Sequence, residues 1–138
     1  MMGCIIALDV GTKTIGIARA STDARLATPH STLSRKGVKQ DVARLAHLMT
    51  ELAVELVVVG LPFELDGNEG RSARLARQIG DALGTATGLP IHYQDERYST
   101  VVAEERLRAA GYDGYQRKGI IDQAAAAVIL GDYLNQCG

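Results

Sequence analysis

Four apolar residues, Ile5-Ile6-Ala7-Leu8, follow Cys4 and run directly into Asp9, and Gly11-Thr12-Lys13 separates them from a second apolar stretch, Thr14-Ile15-Gly16-Ile17-Ala18. Two short apolar runs divided by a glycine turn predict a strand hairpin. A third short strand is expected over 26–28, ending before Pro29. Val38, Val42, Leu45, Met49 and Leu52 then recur at helical spacing, which predicts an amphipathic helix over 39–53 packed on the sheet. Leu56-Val57-Val58-Val59 is too uniformly apolar for an edge and reads as a central parallel strand covered on both faces.

Gly60-Leu61-Pro62 ends that strand, and a loop over 63–70 carries the turn pair Asp66-Gly67. A second helix follows with Leu75, Ile79, Ala82 and Leu83 inward, then a strand over 90–93 leading into Gln94-Asp95-Glu96-Arg97. Ser99 or Thr100 caps a third helix that Gly111 stops. After a loop over 112–118 the last helix turns Ile121, Ala125, Val128 and Ile129 to one side, and the run Ala124 to Ala127 permits close approach to a sheet. The predicted order is three strands, helix, strand, helix, strand and two helices, an α/β layer structure with a mixed central sheet.

A length of 138 residues suits one domain over 1–138 and hence one site. Hydrophobic residues at 46% and charged residues at 22% are the balance of a soluble globular protein, and no apolar run approaches the roughly 20 residues of a membrane span. The first residues lack a basic leader, so a cytoplasmic protein is expected. Cys4 and Cys137 have no partner at metal-ligand spacing, and His30, His47 and His92 are scattered singly, which argues against zinc and against a histidine-activated nucleophile. The formal net charge of −1 disfavours coating nucleic acid by bulk electrostatics. Two bound divalent cations would add four positive charges and reverse that sign locally.

Three acids stand out. Asp9 shares a strand face with Ile5 and Ala7, where an unpaired carboxylate costs several kcal/mol, so either the amides of Gly11 and Thr12 or a cation must compensate it. Glu96 sits just past a strand end, with Arg97 as an ordinary partner and Asp95 as a competitor, since neighbours on an extended segment face opposite ways. Asp122 lies in the first turns of the last helix, where the helix dipole alone would favour an acid. If the three converge, they form an oxygen-ligand site for Mg²⁺ or Mn²⁺. Two such ions about 3.5–4 Å apart can drive phosphodiester hydrolysis.

Asp9-Val10-Gly11-Thr12-Lys13-Thr14-Ile15-Gly16-Ile17-Ala18, Val58-Val59-Gly60-Leu61-Pro62 with Asp66-Gly67, Asp95-Glu96-Arg97-Tyr98-Ser99-Thr100, and Ile121-Asp122-Gln123-Ala124-Ala125 with Ile129-Leu130 together resemble the YqgF (RuvX) family. The likeness spans nearly the whole chain. It implies a single-domain ribonuclease H-like fold related to the RuvC resolvases, with Asp9, Glu96 and Asp122 as catalytic acids and metal ligands, and so chooses Glu96 over Asp95. Tyr98 stands where the family usually has leucine and Ile121 where valine is common. Two activities accompany the family: processing of the 5′ end of the small-subunit ribosomal RNA precursor, which is the favoured expectation, and resolution of Holliday junctions, which calls for a homodimer with paired sites.

Substrate contacts are expected from Lys13 in the hairpin turn, from Arg71 at a helix start near the packed side, and from Arg97 beside Glu96. Arg74 and Arg77 read as a solvated face opposite Leu75 and Ile79. Tyr112, Tyr115, Arg117 and Lys118 interleave aromatic rings with positive charge, a combination that stacks bases and holds backbone, or else anchors and caps a loop. The segment from Asp9 to Gly16 also resembles the first phosphate motif of the actin and sugar kinase group. That group needs a second domain to close over ATP, which this length does not supply. A non-catalytic nucleic-acid-binding module would gain by shedding its three acids, so it is the least favoured class.

Overall fold

The computed structural model describes residues 3–23, 26–62, 70–96 and 99–137, with the side chains of Ser99, Lys118 and Cys137 outside that description. The turn expected at Asp66-Gly67 therefore lies outside the described residues, as do Arg97 and Tyr98. Along the chain run β1 (Cys4–Val10), β2 (Thr14–Ser21), β3 (Thr28–Ser34), α1 (Val38–Glu51), β4 (Val54–Leu61), α2 (Arg71–Thr87), β5 (Ile91–Asp95), α3 (Ser99–Ala109) and α4 (Gly114–Cys137). This is the expected order of elements. The strands form one mixed sheet, β3-β2-β1-β4-β5, antiparallel through β3, β2 and β1 and parallel from β1 through β4 to β5.

Alternation along the strands divides the core into two layers. Ile6, Leu8 and Val10 of β1 join Ile15, Ile17, Val57, Val59 and Leu61 against α1 and α2, which contribute Val42, Leu45 and Met49, and Ala73, Ala76, Ile79 and Leu83. Ile5, Ala7, Ala18, Ala20 and Val58 face the other way and meet Ala126, Ile129, Leu130 and Leu134 of α4. As its composition implies, β4 is covered on both faces, with Val57, Val58 and Val59 fully buried. α3 packs on the outer side of α4 through Ala103, Ala125 and Val128.

Two sequence expectations require correction. The third strand begins at Thr28, not Leu26, and runs through Pro29 to Ser34. Pro29 is tolerated because β3 is an edge strand and Pro29 pairs with Ala18 where the register shifts, so no ladder donor is missed inside the sheet. The loop expected over 112–118 is shorter: α4 starts at Gly114, because the Asp113 carboxylate accepts from the Gln116 amide at 2.8 Å and the Gln116 side chain accepts from the Asp113 amide at 2.9 Å. This reciprocal cap satisfies two free donors at the helix start. Tyr115 and Arg117 are thus helical, and Asp122 lies more than two turns inside α4, where the terminal dipole has faded.

What positions the site is the closeness of α4 to the sheet. The face beneath it is small: Ala7, Ala18 and Ala20 line it, and Gly16 lies directly under the helix. A Cβ on Gly16 would stand 2.0 Å from the Asp122 carbonyl oxygen. Gly16→Ala should therefore destabilise the fold by about 2 kcal/mol or more in urea unfolding, since backbone must move. Gly119→Ala, elsewhere in α4 with no atom within 4 Å of the added carbon, should stabilise it by roughly 0.5–1 kcal/mol.

Candidate active site

Asp9 is the penultimate residue of β1 and lies on the α4 face, paired across the ladder with Gly16. Because Gly16 admits the backbone of α4, Asp122 arrives beside the same strand end. The Thr14 hydroxyl donates a short hydrogen bond to Asp122 Oδ2, and Thr32 Oγ1 donates to Gln123 Oε1 at 3.2 Å, so this turn of α4 is tied to β2 and β3. Burial, reinforced by the charge of Asp122, pushes the Asp9 carboxyl up to about 6. The structure thus brings together two of the three acids expected from the sequence.

Glu96 continues the β5 ladder, its amide donating to the Leu61 carbonyl at 3.0 Å. β4 separates β5 from β1, so two strand spacings, roughly 10 Å, lie between the backbones carrying Glu96 and Asp9. The Glu96 carboxyl meets Asp132 of α4, and its pKa is raised by burial first, then by the hydrogen bond with Asp132 and by the charges of Asp132 and Asp95. That bond requires one proton between two carboxyls. Among the described residues no three Asp, Glu, His or Cys side chains form a metal cage by themselves. The acids stand instead as two pairs, Asp9 with Asp122 and Glu96 with Asp132.

Asp132 and Thr14 escaped the sequence reading. Asp132 carried a signal, an acid set among Ile129, Leu130 and Leu134 in an otherwise apolar helix stretch. Thr14 did not, because a threonine opening a strand is unremarkable until Asp122 is seen beside it.

Of the expected substrate contacts, the Lys13 side chain is exposed on the hairpin turn and the Tyr115 ring is 89% exposed. Tyr115 precedes Asp122 by seven residues, about 10 Å of helix rise on nearly the same face. Tyr112 is also exposed. Arg117 is engaged internally, donating to the Tyr112 carbonyl at 2.8 Å with Glu104 at 4.0 Å, which makes it a clamp on the α3–α4 connection. Arg71 opens α2 as expected but is exposed rather than near the packed side, which Ala73 and Ala76 occupy. Arg74 is exposed as expected, and Arg77 is half-buried, its guanidinium 5.0 Å from the centre of the Tyr93 ring. Arg97 and the Lys118 side chain lie outside the described residues.

The RuvX family model, described as a Holliday junction resolvase, matches residues 3–136. The chain belongs to the RuvX family. A relative from Anaeromyxobacter sp., named "Putative pre-16S rRNA nuclease", is 42% identical over 130 residues, covering 94% of this chain and 95% of its own. One of the same name from Chloroflexus aurantiacus is 40% identical over 131 residues, covering 95% and 86% respectively. Among solved structures, this RuvX chain resembles Thermus thermophilus RuvC in complex with Holliday junction substrate, with a TM-score of 0.58 at 17% identity, covering 98% of this chain and 95% of the other. It also resembles the fowlpox virus Holliday junction resolvase, with a TM-score of 0.60 at 11% identity, covering 96% and 99%. The fold is ribonuclease H-like, as the sequence resemblance implied.

Folding raises the Asp9 pKa from 3.8 to about 6, so between those values the folded state holds a proton that the unfolded chain has lost. Its contribution to stability falls as pH rises through that interval and is a net cost above it. In metal-free buffer at pH 7.5, Asp9→Asn should therefore be more stable than the parent by on the order of 1–3 kcal/mol in thermal or urea unfolding. The advantage should disappear below pH 4.

Proposed function

We propose that residues 1–138 act as a single divalent-metal-dependent nuclease domain that hydrolyses phosphodiester bonds in structured nucleic acid in the cytoplasm, with precursor 16S rRNA as its substrate. Asp9, Asp122 and Glu96 are the catalytic and metal-binding carboxylates in this reading. The observation that carries it is the confrontation of Asp9 with Asp122 at the carboxyl end of β1, where α/β folds place ligands and where a half-buried like-charge pair calls for a cation. Membership of the RuvX family and the names of the relatives support the substrate class.

Carboxylate oxygens with a threonine hydroxyl beside them are hard donors, a set that fits Mg²⁺ or Mn²⁺ and not a softer ion. When bound, such cations supply positive charge against the scissile phosphate and lower the pKa of water. The chain's own groups do the rest. Thr14 fixes the orientation of Asp122, and Gly16 sets its distance from β1. Glu96 completes the set once its carboxyl is released from the hydrogen bond with Asp132. Exposed Lys13 stands within the same turn to meet a phosphate, and Tyr115 offers a ring on which a base can stack. Arg71 and Tyr112 lie exposed for more peripheral contacts. Among the described residues no helix is long and apolar enough to cross a membrane.

The family description supports a second reading, in which the protein cuts branched DNA, an activity that would call for a homodimer with paired sites. An assay of purified protein with a structured 16S precursor and a four-way DNA junction, in Mg²⁺, Mn²⁺ or EDTA, separates the two. Metal-dependent cleavage of the precursor with the junction intact is expected; the converse would replace the substrate assignment. Asp9→Asn, Glu96→Gln and Asp122→Asn should each lower the rate roughly 100-fold or more without loss of fold by circular dichroism. Full activity in any one of them would remove that residue from the set.

A further inference from the structure

Asp41, in the first turn of α1, is fully buried, yet an ionised carboxylate in such a place is tolerated only with several donors around it. It has them. Arg35 Nε donates to Asp41 at 3.0 Å, the Arg44 guanidinium at 2.7 Å and the Lys36 amide at 2.9 Å. Burial pushes the Asp41 carboxyl up, but these bonds more than offset it and hold the group below the usual carboxylate range. The two arginines differ in where the remainder of each guanidinium goes. Arg44 donates to the Ser34 carbonyl at 2.7 Å, at the end of β3. Arg35, whose side chain is 10% exposed, donates to the Gly11 carbonyl at 3.2 Å, inside the turn between β1 and β2.

The same turn is held from three further points. The Arg35 amide donates to the Lys13 carbonyl at 2.8 Å, the Gly11 amide donates to the Thr14 carbonyl at 2.8 Å, and the Thr14 hydroxyl donates to Asp122. A continuous set of bonded groups therefore runs from buried Asp41 through Arg35 and the turn to Asp122, with Asp9 two residues before Gly11. Arg35 itself is too enclosed to meet a polymeric substrate. We propose that Arg35, fixed by Asp41, is a positioning residue that sets the conformation of the Gly11–Thr14 turn and thereby aligns Asp9, Thr14 and Lys13 for phosphodiester cleavage. This rests on the nuclease reading above.

Arg44 supplies the control, because it shares Asp41 and leaves the turn untouched. Residues that orient metal-binding groups typically change activity about 10- to 100-fold when removed. Arg35→Met should lower kcat for Mg²⁺-dependent cleavage by about 10- to 100-fold with KM changed less than about threefold, whereas Arg44→Met should keep kcat within about threefold. In amide hydrogen exchange, Gly11 should lose protection in Arg35→Met and retain it in Arg44→Met. If Arg35→Met does not fold, Arg35→Lys carries the same comparison, since an ammonium cannot span Asp41 and Gly11 together. Equal kcat and equal Gly11 protection in the Arg35 and Arg44 variants would overturn the proposal. Should the parent protein cleave neither nucleic acid, the nuclease reading falls, while the exchange comparison still decides whether Arg35 holds the turn.

Discussion

The repulsion between Asp9 and Asp122 is imposed on the molecule by the way its hydrophobic core closes. α4 can bury Ile129, Leu130 and Leu134 against β1, β2 and β4 only by lying close to a floor of alanines, and Gly16 lets its backbone descend until Asp122 stands next to the end of β1. Each large side chain so buried contributes about 1.5–3 kcal/mol, and together they outweigh a carboxylate cost on the order of 1–3 kcal/mol. The protein thus keeps an unfavourable charge pair because the packing that creates it is worth more. Such a site is poised to gain from a cation. A pair already neutralised by arginine, as Asp41 is, has no comparable use for one.

The two acidic clusters illustrate opposite answers to the same physical problem. Asp41 is surrounded by donors and stays ionised, and it serves as an anchor for Arg35 and hence for the turn. Asp9 and Glu96 lack such compensation, and their pKa values rise. Groups whose charge is unfavourable in the folded chain lie at the sheet rim, with exposed Lys13 and Tyr115 nearby, whereas the satisfied charge lies behind them.

Much of this was legible from residue patterns. Period-two alternation in β1 put Asp9 on the face of Ile5 and Ala7, which the structure covers with α4, and the uniform valines of β4 announced a strand covered on both sides. The extent of β3 was hidden, because Pro29 signals a break unless the strand is known to lie at an edge. The start of α4 was hidden as well: Asp113 and Gln116 form its cap, but glycine and tyrosine between them read as loop. Glu96 was placed just past its strand end by the residue pattern and preferred to Asp95 by resemblance, while its engagement with Asp132 depends on how α4 crosses the sheet, a three-dimensional fact without a local signature. The role of Arg35 was similarly out of reach, since its bond to Gly11 joins residues 24 positions apart.

On the proposed function, the confronted carboxylates of Asp9 and Asp122 are a cation site. Anomalous diffraction from crystals grown with Mn²⁺ tests it directly. A manganese peak coordinated by oxygens of both residues is expected, with Glu96 turned from Asp132 toward the metal. Manganese bound only elsewhere, with these two carboxylates sharing no ion at saturating concentration, would contradict it.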